Sequence, residues 1–212
     1  MVGEPIMPRP KSFDPDNALD KAMCAFWKRG YASTSIRDLT EAMGINKFSL
    51  YDTFGDKRAV FLAALERYST QVVGAMLTGV EAPEAGLAEI RDYFELIVRG
   101  ATHPQECRGC FMTNTGVELA TTDPRIRRTV RAHFARMRRA FLRALDNAVE
   151  RGELRPTGST ELLARHLVGA SQSIALAART RPNAKEYSGY VAWLIESLGT
   201  AREKNRSYVD GE

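Results

Sequence analysis

Residues 33–57 read STSIRDLTEAMGINKFSLYDTFGDK, and the rest of the chain is organised around them. Ser35 is placed to cap a helix, and Asp38 three residues on puts a negative charge in the first turn, where the helix dipole favours one. Ile36, Leu39, Thr40 and Met43 follow at helical spacing. Gly44 stops that helix, because glycine accepts the left-handed backbone a helix C-terminus asks for. Ile45 is an apolar plug for the corner. Asn46 then caps a second helix running through Lys47, Phe48, Ser49, Leu50, Tyr51 and Asp52. Two short helices across a tight turn are the layout of a helix-turn-helix.

Side-chain size and direction support that layout. Thr40, just before the turn, is small enough for the second helix to cross the first closely. Leu50 points inward, so Lys47, Ser49 and Tyr51 point elsewhere. A helix with Asn46, Lys47, Ser49 and Tyr51 on its open side can enter a major groove. Lys47 can meet phosphate or guanine, and Asn46 and Ser49 can bond to base edges or phosphate. The bland alternative is an ordinary helical corner inside a core.

The stretch YASTSIRDLTEAMGINKFSLYDTFGDKRAVFLAAL resembles the N-terminal domain of the tetracycline-repressor (TetR) family of bacterial regulators. The matching features are Gly30-Tyr31, Thr34-Ser35, Ile36, Leu39, Gly44, Ser49-Leu50-Tyr51, Phe54, Lys57 and Leu62, and the likeness spans residues 14–68. Thr40 stands where the family usually has alanine, and Asn46-Lys47-Phe48 is this chain's own choice. The resemblance implies an all-α fold: an N-terminal three-helix DNA-binding domain and a larger α-helical ligand-binding and dimerisation domain. It also implies a homodimer on a near-palindromic double-stranded operator. Candidate DNA-contacting residues are Thr34, Ser35, Arg37, Asn46, Lys47, Phe48, Ser49, Tyr51 and Lys57.

Length and composition agree with a two-domain reading. The 212 residues suit a small domain plus a larger one, and 44% hydrophobic content is ample for a core. The formal net charge of +4 leans toward an anionic partner. Three cysteines exclude a disulfide framework and suit a reducing cytoplasm. With no long apolar run and no signal peptide to be read, the expectation is a cytoplasmic protein that does not enter a membrane.

The expected organisation is a flexible arm at 1–12, a helix-turn-helix domain at 13–58, a ligand-binding and dimerisation domain at 59–205, and a frayed tail at 206–212. Gly3, Pro5, Pro8 and Pro10 keep the arm from folding, and its Arg9 and Lys11 could reach a minor groove or phosphates. Asp14-Pro15 opens a helix to about Arg29 with Leu19, Ala22, Met23, Phe26 and Trp27 inside and Cys24 as buried filler. Asp56 caps a long helix with Val60, Phe61, Leu65, Tyr68, Val72 and Met76 on one face. Lys57 sits at the positive end of that helix, a cost a docked phosphate would relieve.

Further helices are marked by Leu87–Val98, Phe111–Leu119 and a long run from Asp123-Pro124 to about Arg151, whose arginines read as a solvated face. The helices at about 160–180 and 184–203 carry apolar residues on more than one face, so they are expected to pair with a second copy. Strand signals are absent, giving about nine helices in all.

The middle helices would enclose a cavity lined by Phe94, Ile97, Cys110, Asn114, Val117, Phe134, Met137, Phe141 and Gln172. Such a lining suits a small, mostly apolar inducer held by one or two polar groups. Cys107-Arg108-Gly109-Cys110 offers an alternative, a thiol pair sensing electrophiles or redox state. The same residues could instead be an inert pair. His103 adds a third soft ligand, but zinc normally wants a fourth, so no metal or cofactor is expected. No phosphate loop, nucleophile elbow or His-Glu-x-x-His is present, so catalysis is not expected. Two further readings remain, a CxxC redox enzyme and a sequence-blind DNA-coating protein. The first lacks the preceding strand and the second has no use for so large a C-terminal domain.

Overall fold

The computed structural model describes residues 13–103, 108–156, 158–180, 182–187 and 189–199. The expected arm at 1–12, Cys107 and the tail from residue 200 onward lie outside the described residues. Helices make up most of the described chain, and no strand forms among these residues. The compact units divide between Ser69 and Thr70.

In the first unit, α1 (Pro15–Arg29) packs on α2 (Ile36–Met43) and on α4 (Lys57–Arg67), with α3 (Lys47–Phe54) following α2. Asp14 caps α1 and Pro15 occupies its first turn, as the sequence dictates. Phe26 meets Phe61 edge-on at 4.9 Å, and Tyr31 lies 4.8 Å from the same ring. At the far end of α4, Arg67 forks onto both oxygens of Asp20 and reaches Asp16 at 2.9 Å. That guanidinium holds the Asp20 carboxyl below its ordinary range. The clasp makes α4 part of this unit, which therefore runs past residue 58. Cys24 is exposed rather than buried filler, because it lies across α1 from the buried Ala18, Ala22 and Phe26.

Beyond α4 the helix continues as a π turn (Tyr68–Val73) and then α5 (Gly74–Leu77). A π turn fits in one residue more than an α turn. The buried stripe accordingly steps from Leu65 and Tyr68 to Val73, Leu77 and Val80, not to the expected Val72 and Met76.

The second unit holds α6 (Leu87–Thr102), α7 (Phe111–Leu119), α8 (Pro124–Glu150), α9 (Thr160–Ala177) and α10 (Tyr190–Ser197). Counting α4, the π turn and α5 as one uninterrupted helical stretch of chain gives nine helices among the described residues. The long α8 packs against α6, α7 and α9. Phe94, Phe141 and Tyr93 form an aromatic cluster at its heart, with centroids 5.2–5.9 Å apart. The last helix is shorter than its expected 184–203: Ala184–Tyr187 is a 3-10 turn, and α10 begins after Gly189 at φ 78°.

The arginines of α8 are not simply a solvated face. Arg136 forks onto Glu81 with two 2.7 Å bonds, and Arg143 donates to the Glu81 carbonyl. Arg127 donates to the carbonyls of Ala120 and Thr121 at the end of α7. These side chains satisfy loop and helix-end carbonyls that would otherwise lack partners.

Candidate nucleic-acid interface

The α2–α3 corner is built by caps. The Ser35 hydroxyl accepts from the Asp38 N–H at 3.1 Å, and the Asp38 carboxylate accepts from the Ser35 N–H at 2.8 Å, a reciprocal capping box. Ser35 donates its hydroxyl to the same carboxylate, and Arg29 donates to its other oxygen at 2.8 Å. The Ser35 bonds, with Arg29 behind them, hold the Asp38 carboxyl down to about 2. Gly44 ends α2 in the left-handed region, at φ 70°. Asn46 caps α3 by accepting from the Ser49 N–H at 2.8 Å.

This scaffold fixes what α3 presents. Leu50 is wholly buried, so it anchors the helix to the unit's core. Lys47, Phe48 and Tyr51 are exposed, with Phe48, on the side opposite Leu50, at 78%. The Lys47 ammonium sits 5.8 Å from the centre of the Tyr51 ring. Ser49 is half-buried, and Arg37 on α2 is exposed. A short helix with an ammonium, a hydroxyl, a phenol and a phenyl on its open face can serve as a groove-reading element.

Thr34 does not belong to this face. It is wholly buried, and its hydroxyl donates to the Gly30 carbonyl at 2.6 Å. The residue ties off the end of α1 and holds the corner. Lys57 is half-buried, with its ammonium 4.3 Å from the centre of the Tyr31 ring. Asp56 already complements the dipole of α4 as its cap, accepting from Ala59 at 2.7 Å.

Both units match known family models. Residues 18–64 match the model for bacterial regulatory proteins of the tetR family, and residues 86–191 that for the tetracyclin repressor-like C-terminal domain. The HTH-type transcriptional repressor ComR of Escherichia coli (strain K12) is 34% identical over 172 residues, covering 81% of this chain and 82% of that protein. The chain belongs to the TetR family.

It is therefore a DNA-binding transcriptional regulator and not an enzyme. YezE of Bacillus subtilis (strain 168), described as an uncharacterized HTH-type transcriptional regulator, is 33% identical over 174 residues, or 82% of this chain and 90% of that one. Among solved structures, a cysteine mutant of the TetR family regulator CifR, complexed with a 26-base-pair double-strand operator DNA, superposes with a TM-score of 0.78. It is 27% identical and covers 90% of this chain and all of its own.

In the TetR C-terminal unit the sequence-based cavity list divides. Phe94, Met137 and Phe141 are buried, while Ile97, Cys110, Asn114, Phe134 and Gln172 are half-buried. Asn114 donates to the Arg108 carbonyl at 2.9 Å. Val117 is 80% exposed and lines no interior: α7 turns it outward while Thr115, two residues earlier, is buried. Sequence reading also missed polar groups inside. His133 and Thr115 are buried, and neither ring nitrogen nor the Thr115 hydroxyl has a hydrogen-bond partner in the protein. The Thr113 hydroxyl is in the same condition.

A methyl on Gly116 would lie 3.3 Å from a Val130 methyl, so α7 and α8 pack closely there. Burial, with the positive charge of Arg136 adding to it, pushes the His133 imidazole down to about 4. Tyr93 is also buried, and burial raises the pKa of its hydroxyl. The one signal that could have found His133 was its place on the apolar side of α8, between Val130 and Met137. Among the described residues no group of three potential metal ligands comes together, and no helix is long and apolar enough to cross a membrane.

Proposed function

We propose that the chain is a repressor that acts as a homodimer on a near-palindromic operator and is released by a small, uncharged inducer. The observation that carries the DNA half is the capped helix α3, anchored by buried Leu50 and open along Lys47, Phe48 and Tyr51. Arg37, Asn46, Ser49 and Lys57 flank that face and complete the proposed contact. The likeness to ComR, a repressor, supports the sign of regulation, and the operator complex of CifR supports the mode.

Dimerisation is inferred from apolar surface on the last two helices. Leu162 and Leu176 on α9 and Trp193 on α10 are each more than half exposed, a combination costly to leave in water. Two recognition helices must then sit about 34 Å apart to enter successive major grooves. An inducer that binds better to a different spacing weakens operator binding by that differential affinity. The helical run from Lys57 to Leu77 is the covalent route by which such a preference can reach α3.

The inducer site is inferred from His133, whose buried ring nitrogens need partners that the protein does not supply. A neutral imidazole offers one donor and one acceptor, which matches an uncharged molecule bearing a hydroxyl or carbonyl. Phe94, Met137 and Phe141 nearby on α6 and α8 would take its apolar part.

The test is selection of genomic fragments by the purified protein, with light scattering on the complex. The reading expects one inverted repeat with half-sites about one helical turn apart, bound by a dimer. Capture without a shared sequence, or binding by a monomer, would sink it. A molecule that releases DNA from wild type should fail on His133→Phe while that variant still binds the operator.

A second reading, thiol sensing through Cys107 and Cys110, has one observation behind it. The loop bearing Cys110 is pressed against α9 at Gly109, so chemistry at the thiol would be felt by that helix. A quinone should then release wild type from DNA and spare Cys107→Ser and Cys110→Ser; equal release from all three would remove the idea.

A further inference from the structure

Phe48 is the most exposed large apolar side chain described in the first unit, at 78%. It does nothing for the fold of α3, whose anchor is Leu50 on the opposite side. Leaving a phenyl ring in water forgoes the stabilisation that burial would bring, so the ring is expected to be covered in the working complex. Its place in the helix narrows what covers it. Phe48 is the second residue of α3, beside Lys47 and one turn before Tyr51. In a helix-turn-helix, the N-terminal residues of the second helix meet base edges.

A phenyl ring carries no donor for a phosphate and none for a base heteroatom. The apolar group that the major-groove edge of a normal base pair presents is the C5-methyl of thymine. We propose that Phe48 is a specificity-determining residue that packs its ring on a thymine methyl in each operator half-site. The inference rests on the reading that α3 enters the major groove, and it adds which base is read and by what contact. Phe48 would thus supply sequence information without charge.

The test removes one methyl at a time. A duplex is first selected from a random library by the full-length protein, and each thymine in it is then replaced singly by deoxyuridine. That change deletes the methyl and leaves every hydrogen-bonding group and phosphate in place. Binding is read by fluorescence anisotropy at fixed salt for wild type, Phe48→Ala and Phe48→Leu, with circular dichroism confirming that each is folded.

The expected result is one thymine per half-site whose replacement weakens wild type about fourfold, the worth of one buried methyl group. Phe48→Ala should be weaker on the parent duplex and indifferent to that replacement, and Phe48→Leu should keep part of the sensitivity. The salt slope should not change. If no replacement matters to wild type, or if Phe48→Ala keeps the same methyl sensitivity, the proposal is overturned. It is also overturned if Phe48→Ala leaves DNA binding intact and changes only the oligomeric state, since the ring would then dock on protein. Failure to select any sequence would instead sink the operator reading itself.

Discussion

Gly109 lies against the backbone of Ala175: a methyl at its Cα would stand 2.4 Å from the Ala175 carbonyl oxygen. Its φ is also +66°, a region that favours glycine. Gly109→Ala is thus expected to suffer both strain and collision, costing upward of about 2 kcal/mol. Gly152 is the control, because it has φ +73° and open space around it. Gly152→Ala should cost only the conformational part, about 1 kcal/mol. Urea denaturation of the two variants separates the terms, and equal losses would mean that the contact with α9 is of no consequence.

Thr34→Val should lower stability by about 1 kcal/mol, because the buried hydroxyl that meets the Gly30 carbonyl is lost. Operator affinity of the folded variant, and its salt dependence, should match wild type. A selective loss of DNA binding at full stability would put Thr34 back on the interface.

Lys47→Ala should weaken operator binding and flatten its dependence on salt. Each phosphate contact removed lowers the slope of log affinity against log salt by about 0.9. Titrations between low and moderate salt measure it; an unchanged slope would mean that Lys47 meets no phosphate.

His133 should make the protein acid-sensitive. Its folded value of about 4 lies below the ordinary 6.5, so above pH 6.5 it contributes nothing. As pH falls through that window the unfolded chain takes up a proton that the folded one refuses. By pH 4 the cost is on the order of 3 kcal/mol. His133→Phe should remove this slope, and, since it replaces two unpartnered nitrogens with carbon, should lose little at pH 7. Denaturation at pH 7 and pH 4.5 reads both effects, and parallel losses in the two proteins would refute the assignment.

Much of the first unit was legible in residue order. Ser35, Gly44 and Asn46 are read from local chemistry, and each acts where it stands. Features that depend on helical phase were not. The π turn at Tyr68–Val73 is invisible to a 3.6-residue count, so Val72 and Met76 were expected where Val73 and Leu77 are buried. Val117 fails similarly, since an apolar residue on a nine-residue helix has too few neighbours to reveal its side. Thr34 and His133 are polar residues that only tertiary packing buries, and composition gives no warning of either.

The guanidinium groups of α8 change how the chain's alkalinity is understood. Arg127, Arg136 and Arg143 hold carbonyls and a carboxylate within the larger unit, far along the sequence from Lys47. The isoelectric point of about 9.0 thus records, in part, how a long helix fastens its neighbouring turns. Two relatives could differ widely in this number and grip a duplex equally well, so ranking such proteins by overall basicity would misjudge them.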